Sequence, residues 1–131
     1  MMLCYRIVSP RWADSALSGE GARLYGGRWN SPGRRCVYAA ESRSLAILEL
    51  LVHLIGRSRG AEYVLLAIEV PDNSITAPVS LPDKWDAMPA GEASQSVGDF
   101  WLKKSEALAL EVCSVVVPEE SNILLNPDAA G

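Results

Sequence analysis

Apolar positions along this chain recur with two different periods, and each period marks a different kind of element. Leu3–Val8 reads as a first strand that ends at Ser9-Pro10. Trp12–Leu17 fits a short helix, and Cys36–Ala40 a short second strand. From Ser42 or Ser44, either of which can cap, a helix is expected to run to about Ile55 and stop at Gly56. Leu45, Leu48, Val52 and Ile55 form the stripe expected to be its buried face. Glu62–Val70 is apolar on both alternating faces, which predicts a central strand. Ile75–Val79 reads as a short edge strand broken at Pro78, and Ser94 or Ser96 as the cap of a short helix through Lys104. Ala107–Val112, Val115–Val117 and Asn122–Leu125 read as strands.

Between the first strand and the second, Gly19–Gly33 contains five glycines and has no clear period. Glycine at this density marks a chain that turns sharply or approaches a ligand closely, so a long functional loop is expected there. Strands and helices interleave without a regular βαβ repeat, which predicts an α+β fold in one domain over residues 1–131.

Composition narrows the function classes. The net charge is −4, so the broad basic surface of a nucleic-acid-binding protein is missing. Seven of the twelve Lys and Arg residues are nonetheless arginines between Arg6 and Arg43. Arginine grips phosphate and carboxylate bidentately, so this cluster suits a small anionic ligand. Cys4, Cys36 and Cys113 lie far apart in apolar surroundings and read as reduced thiols of a cytoplasmic protein. No apolar run is long enough to span a membrane, and the N-terminus lacks a signal-peptide pattern.

Several familiar chemistries fail on register. A dinucleotide-fold reading of Gly19-Glu20-Gly21 would need glycine where Leu24 stands, and no Gly-Lys-Ser/Thr phosphate loop occurs. His53 is the sole histidine and no cysteines stand at ligand spacing, so no metal site is expected. A serine hydrolase would lack its Gly-x-Ser-x-Gly turn.

Three patterns remain: Gly26-Gly27-Arg28-Trp29-Asn30 with Val37-Tyr38-Ala39-Ala40 close behind; Ser44-Leu45-Ala46-Ile47-Leu48-Glu49; and Val112-Cys113-Ser114-Val115-Val116-Val117-Pro118 leading to Ser121-Asn122-Ile123-Leu124-Leu125-Asn126-Pro127. In order and spacing they resemble the RES family, bacterial toxins named for an Arg, a Glu and a Ser, here Arg28, Glu49 and Ser114. The resemblance runs from Tyr5-Arg6-Ile7 to Asn126-Pro127; it departs at Asp128, where the family pattern usually has histidine. It implies a fold similar to the ADP-ribosyltransferases: a mostly antiparallel split sheet flanked by short helices, with an NAD cleft between. It also implies NAD as substrate and an Xre-type antitoxin partner, which would supply the DNA-binding helices.

The residues suit that chemistry. Breaking the nicotinamide–ribose bond develops positive charge on the ribose carbon, which a fixed carboxylate stabilises. Glu49 is the candidate, with Arg28 expected on the pyrophosphate and Tyr38 offering a ring for nicotinamide and a hydroxyl for ribose. Arg6 is a second candidate, for an anion contact or a structural ion pair; Ser114 is read as hydrogen-bonding nicotinamide or Glu49, and Asn122 as capping a turn or hydrogen-bonding similarly. Ser114 has no evident base and is not read as a nucleophile. Trp29 and Trp101 are read as packing, and His53 as a helix-end histidine.

The leading reading is NAD degradation with water or phosphate as acceptor. A second is ADP-ribose transfer to a protein, a metabolic enzyme, for which the irregular Leu81–Gly91 stretch is the visible recognition surface. A third is a non-catalytic module that binds an antitoxin.

Overall fold

The computed structural model describes residues 1–53, 62–78, 80–104 and 107–129. Among the described residues, six strands form one sheet: β1 (Met2–Val8), β2 (Val37–Ala40), β3 (Val64–Val70), β4 (Ile75–Thr76), β5 (Ala109–Cys113) and β6 (Ser121–Leu125), in the order β3-β1-β2-β6-β5-β4. All neighbours are antiparallel except β4 and β5. The edge strands β3 and β4 are joined only through Pro71 and the 3₁₀ turn Asp72–Ser74. A connection so short forces the sheet to curl until its edges approach each other. Cys4, Val37, Ala39, Val70, Ala109, Ile123 and Leu125 fill the hollow of that curl.

The sheet is also split, as expected. β1 pairs with β3 along seven residues, from Met2↔Val70 to Val8↔Val64, but with β2 only at Tyr5↔Ala40. Past that pair the two halves part, and the guanidinium of Arg6 reaches the carbonyl of Tyr38 at 2.9 Å.

Among the described residues, three α-helices lie outside the sheet: α1 (Glu20–Tyr25), α2 (Arg43–His53) and α3 (Glu92–Lys104). Helix α2 starts where expected, with Ser42 Oγ accepting from the Leu45 N–H at 3.0 Å. Its Leu45 and Ala46 pack on Tyr5 and Ala40. Helix α3 carries Glu92 in its first turn and Lys103 and Lys104 in its last, each favourable to the helix dipole. Its Trp101 and Leu102 pack with Trp29, Leu110, Val112 and Leu124. Both helices therefore cover the outer face of the sheet.

The structure corrects five expectations. Glu62–Val70 predicted a central strand, but β3 is an edge strand, buried with period two and leaving Leu65 37% exposed. The glycine stretch is not all loop: Gly19 and Gly26, both at φ +74°, bracket the six-residue α1. Val115–Val117 is not a strand, because Ser114 Oγ accepts the N–H groups of Val116 and Val117 at 3.1 Å and bends the chain. Helix α3 begins at Glu92, ahead of the expected caps, and Ser94 lies buried inside it. On α2, Leu48 and Val52 are 44% and 42% exposed, so the expected buried stripe holds only at Leu45. Ile55, Gly56 and Val79 lie outside the described residues.

Candidate active site

Glu49 sits one helical turn past Leu45 and Ala46, on the part of α2 that meets the sheet. Its two carboxylate oxygens face different donors. Asn122 Nδ2 donates to Oε1 at 2.8 Å, and Ser114 Oγ donates to Oε2 at 3.1 Å. Asn122 belongs to β6 and Ser114 follows β5, so a helix and two strand ends meet at one acid. Ser114 is fully buried and is fixed by the two backbone N–H groups of the bend after it. Asn122 also reaches the Ala39 carbonyl at 3.3 Å, which ties the acid to β2. Charged hydrogen bonds of this kind are stronger than neutral ones and lock the orientation of a carboxylate.

Tyr38 is on the same face of the sheet as Asn122. Ala40 is paired with Asn122 and Tyr38 with Leu124, so the two side chains are diagonal neighbours on the outer side. The Tyr38 hydroxyl is spoken for: it accepts the Trp29 N–H at 2.9 Å and donates to Asn30 Oδ1 at 2.7 Å. A Cβ on Gly27 would stand 2.6 Å from that oxygen, so glycine is required for the approach. Burial is the main cause that drives the Tyr38 pKa well above its ordinary value, with Cys36 adding to it. The ring is therefore a neutral platform that fastens the glycine segment.

Arg28 follows Gly27 directly, so its backbone reaches the same face as Tyr38 and Glu49. Its guanidinium turns toward the irregular stretch expected to be a surface. Nη1 donates to the carbonyls of Trp85 and Ala87 at 3.0 and 2.9 Å, and Nη2 contacts Met88 Sδ at 2.9 Å. Trp85 stacks on the buried Trp29 at 6.0 Å between ring centroids. Arg28 therefore binds the 85–88 segment to the glycine segment, a tie invisible in the sequence.

Arg6 is a half-buried cation with one hydrogen bond among the described residues, to the Tyr38 carbonyl. Burial pulls its pKa below the ordinary value, opposed by Cys36. Its Nε is buried with no hydrogen-bond partner among the described residues. No carboxylate among the described residues pairs with this half-buried guanidinium, an arrangement that an anion would complete.

Sequence reasoning missed how α3 grips the glycine segment. Ser94 Oγ donates to the Arg28 carbonyl at 2.6 Å, and Gln95 Nε2 to the Gly27 carbonyl at 3.1 Å. Asp99 accepts from the N–H and the hydroxyl of Ser31. Gly98 lies so close that a Cβ there would meet the Trp29 carbonyl oxygen at 1.7 Å. Fully buried Asn30 holds the carbonyls of Ala22, Ser31 and Arg34 from within. No local pattern points to this grip, because Ser94 lies in the polar run Glu92-Ala93-Ser94-Gln95-Ser96 and Asn30 between Trp29 and Ser31.

Two cavities lie elsewhere, one of about 840 Å³ between Thr76, Leu110 and Trp101 and one of about 300 Å³ beside Arg34 and Arg35. Neither is lined by Arg6, Arg28, Tyr38, Glu49, Ser114 or Asn122. As expected, Trp29 and Trp101 are packing residues, at 1% and 7% exposure. The side chain of His53 lies outside the described residues.

Comparison with known proteins gives a consistent picture. The profile of the RES domain family matches residues 3–131. A protein of Photorhabdus laumondii named "Toxin Res" is 41% identical over 130 residues, covering 98% of this chain and 83% of that protein. One of Yersinia enterocolitica with the same name is 43% identical, covering 96% and 84%. A Sphingobium protein named "Prs ADP-ribosylating toxin" is 47% identical, covering 88% and 76%. In fold, the chain is similar to a chain of the M. tuberculosis MbcT-MbcA toxin-antitoxin complex, with a TM-score of 0.77 at 24% identity, over 95% of this chain and 73% of that one.

Proposed function

This chain belongs to the RES domain family, and from that premise we propose that it is the toxin of a toxin–antitoxin pair, an enzyme that binds NAD and cleaves its nicotinamide–ribose bond. The observation that carries the reading is the Glu49 carboxylate, held by Asn122 and Ser114 on the face of the sheet that Tyr38 and the glycine segment also line.

In the proposed reaction the bond between ribose C1′ and the nicotinamide ring nitrogen breaks, and its electron pair leaves with nicotinamide. Positive charge grows on C1′ and the ring oxygen, and the fixed Glu49 carboxylate stabilises it without having to reorganise. An acceptor oxygen then bonds to C1′: water passes its proton to solvent as it adds, whereas phosphate attacks through an anionic oxygen. The Tyr38 ring is proposed to stack on nicotinamide. Arg6, whose Nε is unpartnered among the described residues, is the proposed pyrophosphate contact. Because Arg28 Nη1 already serves two carbonyls, we propose that Arg28 acts mainly by fixing the 85–88 segment beside the site.

A second reading is transfer of ADP-ribose to a protein, favoured by the name of the Sphingobium relative. The same residues and the same bond cleavage serve both. We further propose an Xre-type antitoxin as the partner that holds the enzyme inactive, in keeping with the complex that contains the structural neighbour. The readings separate when the purified chain meets labelled NAD with or without phosphate and with cell lysate. Phosphate-dependent nicotinamide release indicates phosphorolysis, phosphate-independent release hydrolysis, and label on one lysate protein transfer. No release under any condition contradicts them all.

A further inference from the structure

Arg28 gives its side chain to the 85–88 segment, which leaves its main chain to face the site. The two peptide units around it share one orientation. The Gly27 carbonyl accepts from Gln95 Nε2 at 3.1 Å, and the Arg28 carbonyl accepts from Ser94 Oγ at 2.6 Å. Both carbonyls thus face α3. In a trans peptide the N–H points opposite to the C=O, so both N–H groups face away from α3. The second, on Trp29, marks where that direction leads, because it donates to the Tyr38 hydroxyl at 2.9 Å. The first, on half-buried Arg28, is turned the same way and meets no acceptor among the described residues. Successive N–H groups turned to one side are a recurring cradle for electron-rich oxygen. A partly buried N–H without an acceptor is uncommon unless something else supplies one.

We propose that Gln95 is a positioning residue for the substrate: its amide fixes the peptide between Gly27 and Arg28 so that the Arg28 N–H donates to an acceptor oxygen of bound NAD, beside the Tyr38 ring. This rests on the reading of the site as an NAD site. The tether is needed because Gly27, without a Cβ, restricts the plane of the following peptide only loosely. The Gly27 N–H is already held by the Asn30 carbonyl at 2.9 Å, so the Gln95 bond fixes the remaining freedom. Its neighbours on α3 do other work. Ser94 is fully buried and serves the Arg28 carbonyl, one peptide further on, while Asp99 holds Ser31. Gln95 is half-buried, so it can be replaced without opening the core.

Nicotinamide release at varied NAD tests this in the wild-type chain, Gln95→Met and Gln95→Lys, with melting curves for all three. Methionine matches the length of glutamine but donates nothing, whereas lysine keeps an N–H donor. A contact made equally in the bound substrate and the transition state moves KM and leaves kcat. Gln95→Met is expected to raise KM for NAD by about 3- to 10-fold, the equivalent of one neutral hydrogen bond, with kcat within about twofold. Gln95→Lys is expected to keep KM within about twofold of the wild type. A purely structural role would instead move the melting midpoint and treat the two variants alike. If Gln95→Met does not fold, Gln95→Ala is read in its place. An unchanged KM in a folded variant that lacks the donor, or an equal rise in Gln95→Lys, overturns the proposal and leaves the reading of the site intact. A wild-type chain that releases no nicotinamide overturns that reading, and the proposal with it.

Discussion

Asn122 Nδ2 donates to Glu49 Oε1 at 2.8 Å, while Asn122 itself is paired with Ala40 on the neighbouring strand. The acid of a helix is thus aimed by an amide whose place is set by strand register. If that amide orients the carboxylate, Asn122→Ala should lower kcat for nicotinamide release by about 10- to 100-fold, the equivalent of one charged hydrogen bond. Asn122→Asp should do more harm, because it places a second negative charge against Glu49 and favours protonation of one of the pair. Its activity should recover partly as pH falls, which a kcat–pH profile would reveal.

Ser114 accepts two backbone N–H groups and donates to Glu49. Ser114→Ala leaves both N–H groups without that acceptor in a buried place, at a cost of about 1–3 kcal/mol. Thermal melting should show a midpoint several degrees lower. An unchanged midpoint would mean that the bend does not need its hydroxyl.

Gly27 and Tyr38 should prove energetically coupled. Gly27→Ala forces a methyl toward the Tyr38 hydroxyl, and Tyr38→Phe removes that hydroxyl from Trp29 and Asn30. Each single change should destabilise by about 1–3 kcal/mol, and the double variant by somewhat less than the sum, because removal of the oxygen relieves the nearer contact, at 2.6 Å, while ring carbon Cζ stays at 2.8 Å. Urea denaturation of the four proteins measures the coupling; strict additivity would contradict the contact.

Alkaline pH should weaken the fold. Burial raises the thiol pKa of Cys4 from 9.0 to about 11 and that of Cys36 from 9.0 to about 12, and it raises Tyr38 as well. A raised folded-state pKa means that the native chain holds protons the unfolded chain gives up. The stability this supplies is complete below about pH 9 and is lost as pH climbs toward the folded values. Melting temperature between pH 7 and pH 11 should stay level and then fall above about pH 9. Cys36→Ala should make that fall shallower.

What the sequence made legible, and what it hid, follows from the range of the interactions. β1, β2, β6 and the start of α2 could be read because alternation and the Ser42 cap are local signals. The placing of β3 could not, since apolar residues on both faces suit a central strand, and only long-range pairing with β1 sets it at an edge. The failure at Leu48 and Val52 has a similar cause, because helical spacing names a face but not its partner. Within the site, Glu49 and Ser114 were named through family resemblance and Asn122 only as a turn cap or hydrogen-bonding residue, and the structure joins the three by hydrogen bonds. The grip of α3 on the glycine segment was hidden, because Ser94 and Gln95 hold main-chain carbonyls more than 60 residues away.

The most direct test of the account is nicotinamide release from NAD by the wild-type chain beside Glu49→Gln, with melting curves to verify that both are folded. The amide keeps the shape of the acid but removes its charge and sets an N–H₂ against donors. Release by the wild type and a loss of at least about 100-fold in a folded Glu49→Gln is the predicted result. Equal release by the two folded proteins would contradict the role of the carboxylate on which the account is built.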